Sequence, residues 1–98
     1  MGANEFVVKS KGKTAAEAFE VAVEQAAYDY GHAGYTGTIA EKSEFVKIKC
    51  PDDVDPMKYA DQLMSEGDDR IDDKWGPAGC IQDPKDKNTF IFFGWASS

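Results

Sequence analysis

The segment at residues 89–95, Thr-Phe-Ile-Phe-Phe-Gly-Trp, constrains the fold more than any other part of this chain. Successive residues of a strand point to opposite faces, and here the apolar side chains fall on both. A strand without a polar face is expected at the centre of a sheet rather than at its edge. The 98 residues, enough for one domain, must therefore supply its neighbours.

Those neighbours can be read from alternation and punctuation. In residues 5–9, Phe6 and Val8 point one way and Glu5, Val7 and Lys9 the other. In residues 44–50, Val46, Ile48 and Cys50 share one face, and Phe45, Lys47 and Lys49 the other. Shorter strands are expected at 38–40 and 79–82, with Lys42 and Ser43 turning between 38–40 and 44–50. Residues 83–88, Asp-Pro-Lys-Asp-Lys-Asn, read as a polar hairpin loop before the central strand.

Two helices interrupt the strands. Thr14-Ala-Ala-Glu17 is a capping box, in which the Thr14 hydroxyl accepts from the Glu17 amide. Phe19, Ala22, Val23, Ala26 and Tyr30 then recur on one helical face, and Gly31 suits the left-handed position past the end. Asp55-Pro56 opens the second helix, with Met57, Ala60, Leu63 and Met64 on its apolar face and Gly67 to end it. An acidic connection follows at 68–74, anchored by Ile71 and Trp75, and Gly76-Pro77 turns the chain. The order βαββαββ predicts an α+β domain spanning residues 1–98, with two helices packed on one face of a mostly antiparallel sheet. Its first six elements follow a ferredoxin-like plan or a related two-layer sandwich.

If both helices cover one face, the other is open. It would carry Val7, Lys9, Phe45, Lys47 and Lys49 with one register of the last strand, either Phe90 and Phe92 or Ile91, Phe93 and Trp95. Such a face is expected to be spent on self-association or a protein partner. A single-stranded nucleic acid stacked on the rings is the weaker alternative. The net charge of −7 repels phosphate backbones at long range and argues against duplex binding.

The glycine-rich stretch Gly31-His-Ala-Gly-Tyr-Thr-Gly-Thr38 permits close backbone approach. His32, Gly34, Tyr35, Thr36, Gly37 and Thr38 offer hydroxyls and amides to a phosphate or carboxylate. The stretch follows a helix C-terminus and lacks GK[ST], which sets it apart from a P-loop. His32 is the single histidine, with no nucleophile at a recognisable spacing, so no catalytic residue is assigned.

The acids concentrate in one region, where Asp68, Asp69, Asp72 and Asp73 lead to Trp75. The order lacks the alternation, glycine and terminal glutamate of a calcium loop. A carboxylate surface for a basic partner protein, anchored by Trp75, is the sharper reading, and a solvated face the plainer one. Cys50 and Cys80 form no metal pattern, and no cofactor is implied. There is no secretory pattern and no run of 18 apolar residues, so no membrane partner is expected and a cytoplasmic location is.

The runs Gly34-Tyr-Thr-Gly-Thr-Ile-Ala-Glu-Lys42 and Phe92-Phe-Gly-Trp-Ala-Ser-Ser98 resemble segments of small phage and prophage proteins that carry no assigned activity. The resemblance implies a phage-type origin and, as a working expectation, a non-enzymatic binding protein that inhibits a host component such as a defence factor. The surfaces offered for it are the acids at 68–73, Trp75, Phe45, Lys47 and Trp95. A small protein for an anionic ligand or nucleotide, held at Gly31 to Thr38 or in a dimer groove, is the alternative.

Overall fold

Strand β4 (Asp86–Ser97) lies between two partners, the position its two apolar faces require. The computed structural model describes residues 3–30 and 38–97. Before β4 come β1 (Ala3–Lys11), α1 (Ala15–Tyr30), a 3-10 turn (Ile39–Glu41), β2 (Phe45–Lys47), α2 (Pro56–Glu66) and β3 (Ala78–Asp83). The sheet order is β1-β4-β3-β2, with β4 antiparallel to both neighbours and β2 parallel to β3. Among the described residues this is an α+β fold of two helices on a four-stranded, mostly antiparallel sheet.

The local signals act where the sequence places them. The Glu17 amide donates to Thr14 Oγ1 at 3.2 Å, so α1 starts on its capping threonine. The Met57 amide donates to Asp55 Oδ1 at 2.9 Å, Pro56 is the first residue of α2, and Gly67 ends it at φ 68°. Residues 38–40 are not a strand. The Ala40 amide donates to Thr38 Oγ1, the Glu41 and Lys42 amides donate to carbonyls three residues back, and Ile39 is fully buried. These bonds curl the segment into the 3-10 turn and leave no extended backbone to pair. The hairpin is also tighter than the polar run suggests, since β3 reaches Asp83 and β4 begins at Asp86.

The helices lie on opposite faces of the sheet rather than on one. Phe90, Phe92 and Ala96 of β4 pack with Phe6, Cys80, Ala18 and Ala22 on the α1 side. Ile91 and Phe93 pack with Ile81, Ala60, Leu63 and Met64 on the α2 side. The reason is topological. β1, β2 and β3 all run in one direction, α1 carries the chain from one edge to the other, and α2 brings it back one place. Crossovers of the same hand that travel in opposite directions put their helices on opposite faces. Among the described residues there is therefore no open aromatic face: Phe45 joins Phe19 and Phe92 under α1, with ring centroids 5.1 to 5.7 Å apart. Val7 packs under α2.

Close approach of α1 depends on small residues. Ala15, Ala18 and Ala22 face the sheet, and Ser10 Oγ donates to the Ala18 carbonyl at 2.8 Å. A Cβ at Gly12 would lie 2.6 Å from the Ala18 nitrogen, so the chain crosses beneath α1 only with glycine there.

Candidate functional site

α1 begins only at Ala15, and near its start a cleft of about 720 Å³ opens on the sheet face it covers. That volume falls in the ordinary range of small-molecule sites. Cys80 and Phe90, both buried, form an apolar floor. The rim carries four exposed lysines from distant parts of the chain. Lys13 precedes α1, Lys47 ends β2, Lys49 follows it, and Lys87 lies at the start of β4. The register Lys47↔Cys80 sets the second of these over the floor. Asp52 and Asp83 also line the cleft, which leaves two net positive charges in a chain of net −7. The N-terminal end of a helix adds positive potential of its own.

The cleft is suited to binding rather than to thiol chemistry. Burial pushes the Cys80 thiol up to about 11, and the nearby Lys47 offsets this only in part. Cys50, also in the lining, is raised by burial first and then by Asp52, Asp55, Asp83 and Asp53. Its Sγ donates to the carbonyls of Pro51 and Val54 at 3.4 and 3.6 Å. Both cysteines are free and buried, and neither supplies a thiolate at neutral pH. No group of described histidine, cysteine and carboxylate side chains is placed to hold a metal ion. No helix among the described residues is long and apolar enough to cross a membrane.

The residues singled out in the sequence fall in separate places. His32, Gly34, Tyr35, Thr36 and Gly37 lie outside the described residues. Thr38 caps the 3-10 turn and borders a recess with the C-terminal half of α1, away from the lysine cleft. Asp68, Asp69, Asp72, Asp73 and Trp75 do stay together, on the connection between α2 and β3. Two of those acids serve local structure. Asp68 takes two bonds from the Arg70 guanidinium at 2.9 and 2.7 Å, which hold its carboxyl down at about 2. Asp73 Oδ1 accepts from the Trp75 amide at 2.8 Å. Trp75 is 64% exposed, with Lys74 Nζ 5.4 Å from its ring centre. Phe45 and Trp95 are not part of that surface: Phe45 is packed under α1, and Trp95 is half-buried on β4. The Trp95 Nε1 is buried and has no hydrogen-bond partner among the described residues.

Lys47 is the one residue of the expected partner surface that lines the cleft. Lys13 and Lys87 carried no signal in the sequence, since nothing local marks lysines so far apart as neighbours. Comparisons with protein-family models, curated proteins and solved structures return no match to this chain.

Proposed function

We propose that this chain is a non-enzymatic binding protein for a small organic anion, held in the cleft by Lys13, Lys47, Lys49 and Lys87. The observation that supports this reading is the convergence of four lysines on one cavity of an otherwise acidic chain. The net charge of −7 opposes an extended polyanion at long range, whereas screening over about 8 Å at physiological salt lets a local positive site act on a small one. Lysine binds phosphate as a point charge, and the Cys80 and Phe90 floor suits an apolar body attached to it. The ligand class is a phosphate- or carboxylate-bearing small molecule such as a nucleotide. The test is thermal unfolding with pyrophosphate and a panel of nucleotides, on the native chain and on a Lys47→Glu, Lys87→Glu variant. A ligand at a hundred times its Kd should stabilise the native chain by about 2.7 kcal/mol and leave the variant unmoved. No shift across the panel at millimolar concentration removes the reading.

Trp75 supports a second reading. A tryptophan 64% exposed beside Asp69 and Asp72 fits an anchor for a basic patch on a partner protein. On this reading the phage-type resemblance points to a host component, such as a defence protein, bound in the host cytoplasm. Charge reversal at Asp69 and Asp72 together with Trp75→Ala should abolish capture of that host protein while leaving the fold intact. Unchanged affinity removes this version.

A further inference from the structure

The two edges of the sheet are treated differently. β2, at one edge, is three residues long. β1, at the other, runs for nine residues, and among the described residues nothing pairs with its outer side. The Gly12 amide donates to the Asn88 carbonyl at 2.9 Å, one step beyond the Lys11↔Thr89 pair. In an antiparallel ladder the bonded positions alternate, so the even residues of β1 turn their N–H and C=O toward β4. The odd residues Glu5, Val7 and Lys9 turn theirs outward. A long edge of this kind is a template for another strand.

We infer that the second strand is β1 of another copy of this chain, paired antiparallel about a twofold axis at Val7. Only this register pairs all nine residues of both strands, Ala3 with Lys11 through to Lys11 with Ala3. It sets outward-bonding positions against outward-bonding positions, as the ladder requires. It also sets Glu5 of each copy opposite Lys9 of the other. Both side chains are exposed on the same face of the strand, so the edge is complementary in charge to itself. An isologous contact has this self-complementarity by construction.

A second observation agrees. A recess of about 370 Å³ lies between β1 and the C-terminal half of α1, lined by Glu5 to Val8, by Gln25 and Asp29 of α1, and by Thr38 and Ile39 at its end. Val21, Gln25 and Tyr28 form one stripe of α1 at helical spacing, and Gln25 is the member that lines the recess. Val21 and Tyr28 are 47% and 87% exposed, two of the large apolar side chains left in water. A second copy seated on β1 covers that stripe and continues the sheet across the axis. This interface stands apart from the lysine cleft.

Light scattering on purified protein from low to high micromolar concentration tests the inference. The native chain is expected to reach twice its chain mass of 10.8 kDa. Val7→Pro removes an outward N–H without touching a β1–β4 bond, and should return the protein to a monomer. Glu5→Lys should do the same by facing lysine with lysine, and adding Lys9→Glu should restore the dimer, with circular dichroism confirming the fold of each variant. A native chain that stays monomeric throughout overturns the inference. A dimer that survives both Val7→Pro and Glu5→Lys also overturns it, as does a Glu5→Lys defect that Lys9→Glu does not repair.

Discussion

Lys42 Nζ lies 2.8 Å from the carbonyl oxygen of Gly76, and the same ammonium reaches the carbonyls of Lys74 at 3.0 Å and Asp73 at 3.4 Å. Lys42 is 5% exposed, so this is a buried cation whose donors are spent on backbone. Burial lowers its pKa, and Asp73 opposes that shift. The contact ties the end of the 3-10 turn to the segment that enters β3 and carries Trp75. Lys42→Met keeps the aliphatic stem and removes the donors, leaving three carbonyls without this partner. It should destabilise the fold by about 1.5–3 kcal/mol, the range for hydrogen bonds to a charged group. Urea unfolding compared with Lys58→Met, a change at an exposed position of α2, measures it.

Gly79 sits opposite Phe93 in the β3–β4 ladder, and a Cβ there would lie 2.6 Å from the Phe93 ring and 2.9 Å from Ile71 Cγ2. Both neighbours are fully buried and have little room to move. Gly79→Ala should therefore destabilise the protein, by about 1–3 kcal/mol if the core absorbs it as ordinary overpacking. A paired change, Gly79→Ala with Phe93→Leu, should recover part of that loss in the same urea experiment. A fully stable Gly79→Ala protein would show that the α2 side of the core is looser than its packing indicates.

What the sequence disclosed, and what it hid, follows the distance over which each feature is decided. The caps at Thr14, Asp55 and Gly67 involve bonds within a few residues, and they were legible one by one. The central place of β4 was legible because one segment carries both apolar faces. The side of the sheet each helix covers was not, because an apolar stripe on α1 fits either face equally well. That choice depends on the order β1-β4-β3-β2, a set of non-local pairings. The cleft was hidden for the same reason: Lys13, Lys47 and Lys87 meet only after β2 has paired with β3, β3 with β4 and β4 with β1. Lys42 read as a turn residue because its acceptors lie 31 to 34 residues downstream. The acidic cluster was visible because its members are neighbours in sequence, although Asp68 and Asp73 turn out to be engaged in local bonds.

Cys80 and Cys50 should be silent toward thiol reagents while the protein is folded. Both are buried, and the pKa of Cys80, about 11, leaves almost no thiolate at pH 8. Mixing the native protein with a chromogenic disulfide should release no prompt colour, and adding denaturant should release two equivalents per chain. Rapid labelling of one thiol in the native state would mean that the floor of the lysine cleft opens on the timescale of the reaction. Protection by pyrophosphate would then place the anion over that floor.

The pairing of Asp68 with Arg70 gives the protein an acid-sensitive contact. The Asp68 carboxyl is held at about 2 by the side-chain and backbone bonds from Arg70, below an ordinary value of 3.8. A carboxyl whose pKa is depressed by folding contributes stability that is fully present above its unfolded value and is lost as pH falls through its folded one. The window here runs from about pH 4 down to about pH 2. Asp68→Asn should be less stable than the native chain at pH 6, and the gap should close as the pH falls through that window. The ion pair sits at the surface with Arg70 about half exposed, so the gap is modest and should shrink in high salt. Thermal unfolding of both proteins from pH 6 to pH 2 measures it. A gap that stays constant across the window would mean that Asp68 holds the connection through its bond to the Arg70 amide, which Asn can partly replace, rather than through its charge.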